Sequence, residues 1–231
     1  MPIELCNTLH PHKTFKPEKP DKIVREVLFA LRLAGGGTAY SLGYLKTGEV
    51  GLVNSIEPFS QPIAFDTSQD TSFTEIDQER IEPFEKLFKS SDIENSWDKI
   101  AASRYMMCAL RSDQSDVLMY ATIGLESVLL PKDQFTELSC RFRLYGALLL
   151  SRTATEASTI SEKLKEIYNT RSTLVHGSRD FEGQDSIYNI SHNGIEYLRQ
   201  VLSLIIMGHY DARSEWDKHL ETLLFKGVKE T

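Results

Sequence analysis

The sequence is poor in cysteine, in long apolar runs and in positive charge, and each shortage excludes a class of protein. Its 231 residues contain three cysteines, and no two of them form a C-x-x-C pair. This argues against a disulfide framework and against structural zinc, and it fits the reducing cytoplasm. No apolar run approaches the roughly 20 residues of a membrane span, and the first residues lack the pattern of a signal peptide. We therefore expect a cytoplasmic protein without a membrane partner.

Basic residues are outnumbered, which excludes a general nucleic-acid binder. The chain has 26 Lys and Arg against 33 Asp and Glu, a net charge of −7. Such binders carry a bulk basic excess. Residues 101–180 differ from the rest, with 10 basic and 9 acidic residues, a net of +1. A polyanion could bind at a local site there, without strong long-range attraction.

Motifs for phosphate loops and metal sites are also missing. Gly35, Gly36 and Gly37 are followed by no G-K-S/T pattern, so a flexible turn is the better interpretation. His10 and His12 flank a proline, but two imidazoles alone do not make a metal site. We predict neither a metal nor a cofactor.

The first 90 residues are predicted to form a small β-containing region with a flexible arm and a linker. Residues 1–20 hold four prolines and indicate the arm. The apolar stretch 27–33 is compatible with a helix or a strand, and we favour a strand because it stops at the triple glycine. Further strands are expected at 40–45, 49–56 and 62–65, and the polar run 66–74 is expected to be the linker. Pro83 indicates the first turn of a short helix.

From about residue 91 onward the pattern becomes helical. The fold class expected is therefore α+β: an all-α bundle over residues 91–231, preceded by a small β-rich N-terminal region over residues 1–90. The second predicted helix, capped at Asp113, carries Glu126 as its only charge between residues 117 and 130. A helix of that kind is buried, and its carboxylate needs a cationic partner. The predicted helices span 96–110, 117–130, 135–151, 160–177, 187–209 and 212–225.

The helix predicted at 160–177 carries the two most informative residues. A T-x-x-E capping box at Thr159 predicts its start, and Gly177 its end. Arg171 falls in the centre of its apolar stripe, and a guanidinium facing a core must have an anion or a ligand. We expect that anion to be Glu126, within salt-bridge reach. His176 lies in the last turn, where the helix dipole favours an imidazolium.

Three stretches carry a family resemblance. They are G-L-E-S-V-L-L at 124–130, E-L-S-C-R-F-R-L-Y-G-A-L-L at 137–149 and I-Y-N-T-R-S-T-L-V-H-G at 167–177. In sequence, order and spacing they resemble a HEPN domain, and more narrowly its ApeA-like branch. The resemblance implies a homodimeric helical bundle. In many members that bundle is a metal-independent endoribonuclease with an R-x(4–6)-H motif, acting as a toxin or in phage defence beside an antitoxin or another defence protein.

By position, the motif residues are Arg171 and His176. An arginine offers planar donors to phosphate, and a histidine can transfer protons near neutral pH. RNA supplies its own 2′-hydroxyl nucleophile, so the products would carry 2′,3′-cyclic phosphate ends. The alternative is a non-catalytic dimerisation module that binds nucleotide, RNA or a partner protein. In that case Arg171 pairs with Glu126 for structural reasons, and His176 is a helix cap.

Four further side chains are candidates for supporting roles. Tyr168 could stack on a base or pack in the core, and Ser172 could orient phosphate or His176 or simply lie on the surface. Arg141 and Arg143 could bind the RNA backbone or form ordinary ion pairs. We assign Glu126 the role of holding Arg171 in place.

The motif alone is not specific. A chain with this many arginines and histidines contains about one such spacing by chance. A second match does occur, from Arg213 to His219, and we interpret it as accidental because no family context surrounds it.

Overall fold

The computed structural model describes residues 20–35, 43–47, 53–58, 78–90, 96–130, 136–176 and 184–226. These residues form eight helices and one hairpin, in two compact units. The first unit comprises Met1–Ile63 with Ser72–Ser91, and the second Ala64–Thr71 with Asp92–Thr231. In the part of the chain so described, no helix is long and apolar enough to cross a membrane.

The first unit combines two packed helices with a two-stranded hairpin. Its elements are α1 (Pro20–Gly35), β1 (Gly43–Thr47), β2 (Val53–Pro58) and α2 (Gln78–Ser90). The strands pair antiparallel, with Gly43 opposite Pro58. Helices α1 and α2 pack together. Helix α1 contributes the buried side chains of Phe29 and Leu33, and α2 contributes those of Phe84 and Leu87.

The predicted β-rich N-terminal region is wrong, because the described part of it is mainly helical. The stretch 27–33, predicted as a strand, lies inside α1. The buried positions of α1 include Glu26, Phe29, Ala30 and Leu33, a spacing of three and four that belongs to one helix face. The hairpin does fall where two of the predicted strands were placed, but it is the only sheet among the described residues.

The predicted position of Pro83 needs correction, and three other features predicted for this region fall on residues that the structure does not describe. Helix α2 begins five residues before Pro83, which therefore lies inside the helix rather than in its first turn. The arm with His10 and His12, the strand at 62–65 and the linker at 66–74 lie outside the described residues.

The second unit is an all-α bundle in its described residues, as the helical pattern predicted. The helix formed by Gln114–Leu129 packs against four other helices of this unit and so occupies the centre. Asp113 caps its N-terminus, accepting from the backbone N–H groups of Ser115 at 2.7 Å and Asp116 at 3.2 Å. The six helices are α3 (Lys99–Cys108), α4 (Gln114–Leu129), α5 (Leu138–Leu150), α6 (Ala154–Val175), α7 (Gln184–Met207) and α8 (Arg213–Lys226).

Two glycines allow the helices to approach closely where they cross. A Cβ atom at Gly124 of α4 would lie 2.6 Å from a methyl of Leu198 on α7. One at Gly146 of α5 would lie 2.5 Å from a methyl of Leu164 on α6. Both leucines are fully buried, so they have little room to move aside. The second crossing fixes how α5 and α6 lie side by side.

The C-terminus of α4 is capped by side chains of α8. The last carbonyls of a helix have no partner within it. The guanidinium of Arg213 donates to the carbonyls of Ser127 and Leu130, the latter at 2.8 Å. The indole N–H of Trp216 donates to the carbonyl of Val128 at 2.7 Å. These bonds join segments 83 to 88 residues apart and fix the end of the central helix.

We expect Arg213→Met to lower the free energy of unfolding by about 2–4 kcal/mol, because it leaves two carbonyls at the end of α4 without a donor. Arg213→Lys keeps the charge but lacks the forked donor geometry, so it should lose most of the same free energy. Urea denaturation measures both. A lysine variant as stable as the wild type would show that charge alone matters and would contradict the capping role.

Candidate functional site

Helix α6 positions the two motif residues, and it is longer than predicted. It begins at Ala154, where Thr153 accepts from the backbone N–H of Glu156 at 3.2 Å. The Glu156 carboxylate in turn accepts from the N–H of Arg152 at 2.7 Å. Thr159, expected to be the cap, lies inside the helix. The cap is thus a T-x-x-E box six residues before the predicted one.

Arg171 and Glu126 lie within salt-bridge reach, as predicted. Nη2 of Arg171 on α6 is 3.8 Å from Oε2 of Glu126 on α4. The contact is loose, however, and the side chains are 29% and 23% exposed, so the pair is not sealed in the core. The Nε atom of Arg171 is buried and has no hydrogen-bond acceptor among the described residues. The Arg171 side chain is therefore partly exposed, and one of its donors is unsatisfied in this part of the chain.

Burial raises the pKa of the Glu126 carboxyl above its usual value of 4.5, and the nearby Arg171 lowers it only in part. Loss of hydration thus outweighs the attraction of the guanidinium at 3.8 Å. Glu126 is a weak partner for Arg171, and an anion able to make shorter contacts could replace it.

His176 is the C-cap residue of α6, and its side chain is exposed. Its backbone N–H donates to the carbonyl of Ser172 at 3.1 Å. Helical geometry places His176 about 7.5 Å beyond Arg171 along the axis and about 140° around it. The two side chains therefore leave the helix in different directions, although both lie at its C-terminal end.

Tyr168 and Ser172 are placed differently from each other. The ring of Tyr168 packs against buried Phe142 of α5, with centroids 5.5 Å apart, which favours the core-packing interpretation. Ser172 is partly buried and contacts His176 through its main-chain carbonyl. Val175, the last residue of α6, is 51% exposed, so the apolar stripe of this helix ends before its last residue.

The two candidate arginines of α5 have distinct environments. Arg143 donates to the Glu162 carboxylate at 3.0 Å and to the Ser161 hydroxyl at 3.3 Å, so it ties α5 to α6. The Nε atom of Arg141 is buried and has no acceptor among the described residues. Arg143 is thus engaged in an ion pair, whereas Arg141 forms none within the described segments.

The second motif match, Arg213 to His219, has a structural role. Arg213 caps α4, and Nδ1 of His219 lies 3.0 Å from the hydroxyl of Tyr210. Burial lowers the pKa of His219, and the charge of Lys226 lowers it further. This histidine belongs to an aromatic cluster with Tyr210 and Trp216.

One cationic cluster was missed at the sequence level. The guanidinium groups of Arg104 and Arg111 each lie 5.3 Å from the ring centre of Tyr120, and Arg111 also donates to its hydroxyl at 3.1 Å. The three residues come from α3, the following loop and α4. No spacing in the sequence signals such a cluster, because tertiary packing alone brings its members together.

No group of three or more His, Cys, Asp or Glu side chains in the described segments is arranged to hold a metal ion. Comparisons with protein-family models, with curated proteins and with solved structures find no match to this chain. The HEPN resemblance therefore rests on the residues of the three stretches.

We expect Glu126→Gln to be at least as stable as the wild type at neutral pH, and its relative stability to rise with pH. The Glu126 carboxyl binds its proton more tightly in the folded state than in the unfolded state. Its contribution to the free energy of unfolding is therefore fully present below the unfolded pKa and is lost as pH rises through the folded pKa. Glutamine mimics the protonated form and lacks this loss. Denaturation midpoints between pH 4 and pH 7 measure the difference.

Glu196→Gln serves as a control of opposite sign. Although burial acts to raise the pKa of Glu196, hydrogen bonds from Arg199 and Gln200 lower it below the usual value. That variant should lose stability relative to the wild type as pH rises from the lowered folded pKa to the usual value of 4.5, so its midpoints are measured in that lower range. If Glu126→Gln follows the same trend, the pair with Arg171 is stronger than its geometry indicates.

Proposed function

We propose that the chain is a metal-independent endoribonuclease of the HEPN type, with Arg171 and His176 as its catalytic residues. The observation that carries the proposal is the state of Arg171. Its guanidinium is partly exposed, holds Glu126 only at 3.8 Å and keeps a buried donor without an acceptor. A purely structural arginine is expected to satisfy its donors more fully.

The proposed mechanism assigns separate tasks to the two side chains. Arg171 binds the non-bridging oxygens of the scissile phosphate and stabilises the charge that develops there. The imidazole of one His176 removes the proton from the RNA 2′-hydroxyl, whose oxygen attacks phosphorus. The bond to the 5′-oxygen breaks, and that oxygen takes a proton from an imidazolium. The products are a 2′,3′-cyclic phosphate and a free 5′-hydroxyl.

Two copies of the chain fit this division of labour better than one. In an in-line displacement the attacking 2′-oxygen and the leaving 5′-oxygen lie on opposite sides of phosphorus, so two imidazoles serve as base and acid better than one. His176 and Arg171 also leave α6 in different directions. A two-fold homodimer would bring two such pairs to one groove. We propose that the dimer acts in the cytoplasm as a toxin or phage-defence component, held in check by an antitoxin or another defence protein.

The contact with Glu126 favours a second candidate function. A carboxylate beside Arg171 already supplies it with an anion. In that case the bundle is a non-catalytic HEPN module that binds nucleotide, RNA or a partner protein, and His176 is only a helix cap.

We expect His176→Ala to abolish RNA cleavage while changing the free energy of unfolding by less than about 0.5 kcal/mol, because the side chain is exposed. The assay is incubation of purified protein with RNA in EDTA, with detection of 2′,3′-cyclic phosphate ends. Activity should persist under chelation, because the proposed mechanism uses no metal ion. A 2′-O-methyl copy of the RNA should remain intact, because it lacks the nucleophile.

His192→Ala is the matched control. His192 is an exposed histidine on α7, outside the motif in sequence, and its ring stacks on Tyr188 with centroids 6.2 Å apart. It is a better control than His219, whose ring is hydrogen-bonded to the hydroxyl of Tyr210. Cleavage by His176→Ala at the wild-type rate, or cleavage that stops in EDTA, would favour the binding module.

A further inference from the structure

Arg141 on α5, like Arg171 on α6, has a buried donor without an acceptor among the described residues. Nε of Arg141 and Nε of Arg171 are both shielded from solvent, and neither has a hydrogen-bond acceptor in the described chain. Arg141 also takes part in no ion pair there. Shielding a charged donor from water without an acceptor is costly, and native proteins rarely leave such groups unmatched. Two of them in one site indicate an absent acceptor.

The packing of α5 on α6 places both arginines at the same end of that helix pair. Gly146 of α5 faces Leu164 of α6, and Phe142 of α5 packs on Tyr168 of α6. The helices are antiparallel, so moving four residues back along α5 corresponds to moving four residues forward along α6. The same register places residue 138 or 139 of α5 opposite Arg171. Arg141 is then displaced from Arg171 by about 3–5 Å along the helix axes.

Both arginines also lie on the sides of their helices that face the core. Arg141 is one turn before Tyr145, which is buried, and Arg171 is one turn after Ile167, which is buried as well. Helix α4 packs against both α5 and α6 and brings Glu126 to Arg171. The register of α5 on α6 thus places Arg141 at the end of the helix pair where Glu126 of α4 meets Arg171.

We propose that Arg141 and Arg171 together bind one phosphate group, which displaces Glu126 from Arg171. Phosphate offers several acceptor oxygens to planar donors, whereas Glu126 reaches one guanidinium at 3.8 Å. Arg143 takes no part, because Glu162 and Ser161 occupy it. The proposal shares Arg171 with the proposed ribonuclease and takes from it the expected ligand, an RNA phosphodiester. Binding itself requires no cleavage.

The test is binding of a fluorescent 2′-O-methyl RNA oligonucleotide, which cannot be cleaved, measured by anisotropy. Arg141→Ala should weaken binding by about tenfold or more and reduce the dependence of affinity on salt by about one phosphate contact. Arg152→Ala removes the same charge at the opposite end of the α5–α6 pair, where the side chain is exposed, and should change affinity less than twofold. Equal effects of the two variants would overturn the proposal.

Inorganic phosphate distinguishes the sources of the ligand. If phosphate displaces the oligonucleotide at concentrations where chloride of the same ionic strength does not, the site accepts phosphate from any source. If the oligonucleotide binds through Arg141 and phosphate fails to compete, the site is specific for the RNA phosphodiester. Glu126→Gln should tighten binding in both cases, because it removes the competing carboxylate. Weaker binding by this variant would contradict displacement.

A stability measurement keeps the proposal testable if a variant folds poorly. Without ligand, Arg141→Met should leave the denaturation midpoint unchanged or raise it, because it removes an unsatisfied buried donor. A clear fall would mean that the arginine has a structural partner and would overturn the proposal. Binding through Arg141 without any cleavage by the wild type would refute only the ribonuclease. Cleavage with unchanged binding by Arg141→Ala would refute only the phosphate site.

Discussion

Helix α4 has to bury nearly all of its surface, and the rest of the second unit is arranged around that constraint. Four helices pack on it, and Gly124 lets α7 come close. Burial also deprives its terminal carbonyls of water, so they need donors from elsewhere. Arg213 and Trp216 of α8 supply them. The apolar character of one helix thus determines the packing of its neighbours and the position of the last helix.

The same constraint shapes the candidate site. Glu126 is the one charge of α4 beyond its first turn, and burial disfavours its ionised form. It reaches Arg171 only at 3.8 Å, and Nε of Arg171 has no acceptor among the described residues. Where hydration is limited, an anion that binds this guanidinium gains more than it would at the surface.

The sequence predicts a contact correctly where an apolar helix face carries a single charged residue. It does not predict features that depend on packing between residues far apart in the chain. The contact between Glu126 and Arg171 is predictable because a buried charge needs a partner.

The stretch 27–33 is predicted wrongly as a strand because a short apolar run fits both the helical and the strand period. Its helical face includes Glu26, whose burial only the fold reveals. The start of α6 was misplaced because two T-x-x-E patterns lie six residues apart and helix-forming residues such as Ala154 and Ala157 favour the earlier one. The capping role of Arg213 is not visible in the sequence, because the carbonyls that accept its hydrogen bonds are more than 80 residues away.

The capping of α4 by α8 also has a consequence for biosynthesis. On the ribosome, α4 is completed 83 to 88 residues before the side chains that close its end. At about 5–20 residues per second, this interval lasts roughly 4 to 18 seconds. During that time the carbonyls at the end of α4 lack the donors that Arg213 and Trp216 supply in the folded chain. A nascent chain therefore reaches its final arrangement only after α8 has emerged.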